Sequence, residues 1–550
     1  MFSSHIYKAP LAAGLILLGS VGLLASDKKT SSAPSRPAAV PARSAPSRPS
    51  GGASTGGVGT RGGATTHSGP TANGPTANRS TTTRTGAAVT ANGGATANRV
   101  TREPNTSHQP PTGNLGGTRP TVSSGTGGLG HNPSARAVNT GISGRPAPKG
   151  SQQQQLRGGN AIQHRPDGHL SDVHDAKRGM DIHHGLNGGR KVSVERPDHS
   201  RIVAERGRPG YVQRPYSFHG HDFAQRTYYY HGHVYQNYYR GAVYGGVSIN
   251  VYAPARYYPV GFYGWAYHPW GAPVAFAWGF DSDPWYGYYG NYFVPYPVYP
   301  NASLWLTDYM ISSDLAAAYQ AGQESGTLAP NDQAGNTAPA LTPEIKQMIA
   351  DEVRNQIALE NADGQQSLQN HDPDPASSGI PRMLGDGQRH VFVVGSPLDV
   401  VDDSGSECAL SEGDALQLST PPPPDATGVS LSVLSSKGKH ECAKSDVVTV
   451  SVGDLQEMQN HMRESIDRGL AELRDKQGKG GLPVAPPSAT APPTTVAYAQ
   501  IAPPPDPNDA GAIDQQQKVA DQSEQEVTAQ ATKQDKPEAD ASAPTSNMFQ

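Results

Sequence analysis

The sequence predicts a mostly β protein with accessory helices. It divides into an aromatic-rich antiparallel meander, a small disulfide-stapled β-barrel or sandwich, and extensive disorder elsewhere. Three observations carry this reading. Residues 211–309 hold all five tryptophans and 21 of the 24 tyrosines of a 550-residue chain. Short runs of alternating residues, bounded by Gly, Pro and Asp turns, read as strands. A second set of such runs surrounds the only two cysteines, Cys408 and Cys442.

Taken from the start, Lys8 precedes the apolar run Leu11–Ala25, which ends at Ser26-Asp27-Lys28-Lys29. A positive residue, about fifteen apolar residues and a small exit residue are the pattern of a secretory signal. Residues 1–26 are therefore expected to export the chain, and to anchor it in a membrane only if they are retained. Residues 27–165 form a Ser/Thr/Gly/Pro-rich stalk without apolar periodicity, with 16 Lys/Arg against Asp27 and Glu103, a local net of +14. Such composition cannot offset the entropy of ordering and is expected to be disordered. Its arginines are thinly spread and no aromatics interleave them, so a sequence-specific nucleic-acid interface is not expected.

The aromatic module is expected over residues 188–322. Arg190–Glu195, Arg201–Arg206 and Tyr211–Phe218 read as strands, each pairing with its sequence neighbour. Pro215 places part of the third at an edge or bulge. The pattern Tyr216-Ser-Phe-His-Gly-His-Asp-Phe223 recurs as Tyr228-Tyr-Tyr-His-Gly-His-Val-Tyr235. A His-Gly pair between aromatic runs reads as a two-residue hairpin turn, because glycine supplies positive φ and histidine tolerates it. Val247–Tyr252 adds a strand. Residues 253–300 stay aromatic but are too proline-rich for helix, and are expected to lay their rings across the sheet as an irregular segment. Asn301 or Ser303 then caps a helix reaching about Gly322, with Leu304, Tyr309 and Leu315 on its buried side.

After a linker (323–341), Thr342-Pro343 opens an amphipathic helix over 342–361, whose Ile345, Ile349, Val353 and Ile357 recur every fourth residue. A second linker (362–388) leads to a compact β-module over 389–476. It has five short strands and a helix starting at Asp454, with Glu457 three residues on and an apolar stripe from Leu455 to Leu473. In an exported chain, Cys408 and Cys442 are expected to pair. Residues 477–550 return to Pro, Ala, Gln and acidic composition, with a net of −6 over the last fifty, and are expected to be disordered.

The sequence carries no phosphate-cradling glycine loop with Lys-Ser/Thr, no His-Glu-x-x-His, no Gly-x-Ser-x-Gly and no Cys-x-x-Cys. Enzymatic activity is not expected, although a cleft with perturbed carboxylates would reopen it. Two ligand sites are weighed instead. If the two hairpin tips stack, His219, His221, His231 and His233 approach to metal-ligand distance and hold a divalent transition metal; otherwise they are turn residues. Trp265, Trp270, Trp285, Tyr288 and Tyr289 either face outward and stack on sugar rings, or form the core of a domain poor in Leu, Ile and Val. The function expected is that of a cell-envelope or extracellular structural and interaction protein, whose partners are envelope polysaccharide or other envelope proteins.

Overall fold

The structure is a computed structural model that describes residues 144–328, 341–369, 374–437 and 441–535, all within one compact unit. The expectations for residues 1–143 and 536–550 lie outside the described residues. Ten strands form one antiparallel sheet in strict sequence order: β1 (Gln152–Gln155), β2 (Ala161–His164), β3 (Leu170–Asp175), β4 (Met180–His184), β5 (Arg190–Glu195), β6 (Arg201–Glu205), β7 (Gly210–Phe218), β8 (His221–Tyr230), β9 (His233–Tyr244) and β10 (Val247–Ala253). The meander therefore begins well before residue 188. Residues 152–164, placed in the stalk by composition, are its first hairpin, and β3 and β4 lie in the stretch that was assigned to no module. Pro215 sits where β6 no longer reaches: β6 pairs only with residues 211–213, and Pro215 faces Ala224 on the other side. Its missing N–H thus falls on a locally open edge.

Along β2 to β7 one face is apolar. Ile162, Val173, Ile182 and Val192 stand opposite one another across four strands, and Ile202 faces Val212. That face is covered by a C-terminal helix, Asp509–Asp535, whose Ile513, Ala520, Val527 and Ala531 are buried against it. Ion pairs flank the seam: Arg214–Asp509, Arg190–Asp521, Arg190–Glu524 and Arg178–Glu526. Residues 477–535, expected to be disordered, are thus part of the body. The stripe is built of alanine and single branched residues, too sparse to register as amphipathic in an acidic, Gln-rich run.

Beyond β10 come β11 (Arg256–Tyr257), α1 (Val260–Tyr267), α2 (Pro284–Tyr289), α3 (Ala302–Ser325) and α4 (Pro343–Leu368). Residues 253–300 do form two short helices, because prolines at the start of a helix remove only an N–H that has no partner there. Of their rings, Tyr257 packs with Phe223 and Tyr238 of the ten-stranded sheet, but most do not lie across it. They pack on α3, α4 and a later helix as the largest core, with Phe262, Tyr263, Tyr292, Phe293, Tyr299 and Trp305 almost fully buried. Asn301 caps α3 by accepting the Leu304 N–H, and Thr342 caps α4 through Ile345. Ile345, Ile349, Val353 and Ile357 are all buried.

The 362–388 region is not a linker throughout: α4 runs to Leu368, and α5 (Pro375–Ser378) and α6 (Ile380–Gly385) follow. The second module is one six-stranded antiparallel sheet, one strand more than expected. It contains β12 (Val391–Val393), β13 (Leu398–Asp402), β14 (Glu407–Leu410), β15 (Ala415–Leu418), β16 (Gly428–Ser435) and β17 (Val447–Ser451), in the order β12-β15-β16-β17-β13-β14. Cys408 on β14 is bonded to Cys442. Helix α7 (Val452–Lys476) starts earlier than expected, capped by Ser451, whose Oγ accepts the Asp454 N–H and donates to the Asp454 carboxylate. Asp454 is thus the third residue of a capping box and not its cap. The chain then returns across the molecule: β18 (Thr494–Thr495) pairs with β11, α8 (Ala497–Gln500) seats Tyr498 on Phe223, and α9 is the helix 509–535 described above.

Removing residues 509–550 should uncover the apolar face of β2 to β7 and cost about 3–6 kcal/mol from the loss of Ile513 and Val527 burial alone. Increased binding of a hydrophobic dye and a lower thermal midpoint are expected, and an unchanged dye signal would show that α9 does not cover the sheet. Replacing both cysteines by serine should cost roughly 3–4 kcal/mol in a denaturant titration, given their separation of 34 residues.

Candidate binding cleft

The face of the ten-stranded sheet opposite α9 is polar. Asp172, His183, Lys191 and Glu205 stand in one cross-strand row over β3 to β6. Strand alternation produces this arrangement: in each strand the residues flanking those that face α9 must point the other way. His183, Lys191 and Glu205 of this row form part of one wall of a cleft of about 480 Å³. The facing wall comes from the end of α3, from Tyr288 and Tyr289 of α2, and from Asp399, Ser411, Glu412, Lys437 and Glu441 of the six-stranded module. Its size falls within the range of small-ligand and oligomer sites, which often form where two modules meet.

The inner end of the cleft is closed by a nearly buried ion network. Arg165 Nη2 donates to Asp399 at 2.8 Å and Arg165 Nε to Glu407 at 2.7 Å. His183 Nδ1 lies 2.8 Å from Asp172 and Nε2 3.2 Å from Asp399. The Leu186 N–H also donates to Asp399. Burial works against the His183 imidazolium, but hydrogen bonds to Asp172 and Asp399 more than offset it and raise its pKa. Farther out, Arg208 bonds both Glu205 and Glu412. Lys437 is bound to the fully buried Asp414 and lies over the Tyr292 ring. Glu441 accepts from the Ser411 hydroxyl and the Lys437 backbone N–H.

Every carboxylate facing the cleft thereby has at least one hydrogen-bond or ion-pair partner. Two cations that line the cleft make no side-chain hydrogen bond or close ion pair among the described residues: Arg206, and Lys191, whose charge acts at longer range on Asp454 and Glu457 and lowers their pKa values. Burial raises the pKa of Glu360 to about 8 and that of Asp414 to about 7. Both are sealed, however, Glu360 beneath the Tyr263 hydroxyl and Asp414 beneath Lys437, so they serve the core rather than a ligand.

The structure separates the four tip histidines. His219-Gly220 and His231-Gly232 are two-residue turns with φ of 50° and 76°, and 48° and 78°. They close the β7–β8 and β8–β9 hairpins. Consecutive turns of a meander lie at opposite ends of the shared strand, and the ten residues of β8 hold these two about 30 Å apart. No group of three or more metal-ligating side chains occurs among the described residues. The stacking assumption behind the metal site was therefore wrong, while the turn reading of the repeat holds. Trp270, Trp285, Tyr288 and Tyr289 are buried and Trp265 partly so, all within the largest core. They are core residues first; only Tyr288 and Tyr289 also reach the cleft.

Sequence reasoning missed Lys191 and Arg206, which carry no motif. The signal that leads to them is the recurrence of positive-φ turn residues at 168, 179, 188, 199 and 207, which sets the strand register and hence the row. The chain matches no protein-family model, no curated protein and no solved structure.

His183, His390 (between Glu352 and Asp386) and His461 (on Asp314) all have raised pKa values, because carboxylate partners outweigh burial. The stability they add is fully present below the unfolded value of about 6.5 and is lost as pH rises through the higher folded values. The thermal midpoint should therefore fall from pH 6 to pH 9. His183→Gln should lower it at pH 6 and flatten the profile; an unaltered profile would show that the network does not hold the modules together.

Proposed function

We propose that this chain is an exported cell-envelope protein whose role is binding and interaction, and that the cleft between its two sheets is where it takes hold of its partner. The observation that carries this reading is the cleft: side chains from both modules converge on an open space of about 480 Å³, lined by both charged and apolar groups, with Lys191 and Arg206 lacking a close ion-pair partner. Support for export comes from the apolar run Leu11–Ala25 with its flanking lysines and from the cysteine pair, which suits an oxidising compartment. No helix among the described residues is long and apolar enough to cross a membrane. The partner class expected is a polysaccharide or a protein of the envelope.

Two measurements test this. Fusing a reporter enzyme that folds only after export behind residue 30 should give activity, and deleting residues 1–26 should abolish it. The whole exported chain should be retained on at least one of a set of immobilised envelope polysaccharides and peptidoglycan. Free passage over all of them would end the polymer-binding reading.

A further inference from the structure

We propose that the cleft selects an anionic glycan, a hydroxylated chain bearing carboxylate or phosphate groups, with Lys191 and Arg206 as the residues that recognise the charge. This rests on the polymer-binding role proposed above and narrows it. The argument comes from what each charged group in the cleft already has. On the acidic side, Asp399 is held by Arg165, His183 and the Leu186 N–H, and Glu205 and Glu412 share Arg208. Glu441 accepts two hydrogen bonds. A cationic ligand would have to compete with these partners for the same carboxylates. On the basic side, Arg145 is bonded to Asp454 at 3.0 Å and Lys437 to Asp414, which leaves without a close partner Arg206 and Lys191, the latter interacting with Asp454 and Glu457 only at longer range.

Their placement adds a second line. Lys191 lies in the middle of the cross-strand row between His183 and Glu205, so it points into the cleft floor. Arg206 follows directly after β6, on the turn that forms the rim. One charge at the floor and one at the rim suit an extended ligand with repeated anionic groups. Between them, Asn187, Ser325 and Thr327 line the space with polar groups suited to hydroxyls. Nucleic acid fits less well. Single-stranded recognition needs exposed rings for base stacking, and the cleft's two tyrosines are buried, 8% and 6% exposed.

The test uses the whole exported chain. Binding to polygalacturonate, to polyglycerol phosphate, to neutral dextran and to single-stranded DNA is measured side by side, at low and at moderate salt. Polygalacturonate, polyglycerol phosphate or both should bind and weaken with salt; which of them binds distinguishes a carboxylate from a phosphate ligand. The double substitution Lys191→Gln and Arg206→Gln should weaken binding at least roughly tenfold, as expected for a lost charged hydrogen bond, while Lys191→Arg with Arg206→Lys retains it. In the unaltered chain, bound polymer should protect Lys191 from acetylation, read by mass spectrometry, so the proposal does not depend on a variant that folds. Dextran binding as well as the charged polymers, or no protection of Lys191, overturns the anion selection and leaves the polymer role standing. Tighter binding to DNA overturns the glycan class, and no binding to any polymer removes both proposals.

Discussion

The architecture depends on a single helix that is buried on two sides by different materials. Val452, Leu455 and Met458, in the first turns of α7, belong to the core of the six-stranded sheet. Met462, Ile466, Leu470 and Leu473, farther along the same stripe, belong to the aromatic core. The adjacent stripe, Gln456, Gln459, Asn460 and Arg463, is equally buried but polar. An apolar stripe tolerates many neighbours; a buried polar stripe does not, because each unsatisfied group costs the full desolvation penalty. The polar side of α7 therefore specifies what must lie against it.

Gln456 accepts the Ile380 N–H and Gln459 donates to the Ser378 carbonyl, while Asn460 and Arg463 meet the last strand of the ten-stranded sheet. Asn460 bonds the Tyr252 N–H and the Asn250 carbonyl, and Arg463 bonds the Tyr252 carbonyl. These are backbone groups of β10, the last strand, whose outer edge would otherwise offer a ladder to another chain. Nearby, Arg226 pairs with Glu457, Tyr239 with Glu464 and Tyr252 with Asp467. Glu457 to Glu464 and Asn460 to Asp467 are both steps of seven residues, two turns along one helix face. The helix thus caps an edge and fixes the orientation of a sheet in one set of contacts. Such pairs, whose carboxylates are exposed or half-buried, add little net stability, so their contribution here is to positioning.

Much of this was legible in the sequence, in proportion to how local its cause is. The His-Gly turns, the Asn301 and Thr342 caps, the α4 and α7 stripes and the cysteine pair each follow from a few adjacent residues. The β1 to β4 strands were not legible because each supplies at most two apolar residues, and α9 because its buried stripe is half alanine. Ile162 and Val173 identify a strand only once they stand beside each other, and Val527 marks a buried face only once a sheet is opposite. The metal reading failed for a related reason. It took two similar sequences to be near in space, although a meander puts successive turns at opposite ends. The cleft cations were the least legible of all, since their meaning lies in the partners that other residues already have.

The concentration of tyrosine and tryptophan, the most conspicuous feature of the chain, therefore answers a structural problem. Residues 253–300 are poor in Leu and Ile and rich in proline, so they cannot bury a regular apolar stripe. Rings fill the space instead: Trp278, Trp305 and Tyr309 form a run of stacked partners at 5.1 and 5.5 Å, and Trp278 donates to the Tyr299 hydroxyl. Rings committed to a core in this way have few faces left for a ligand. On the binding role proposed above, specificity would come from groups that the fold has not already used. In this molecule those are charges at the seam between the two sheets, held in place because the neighbouring ions are already paired with one another.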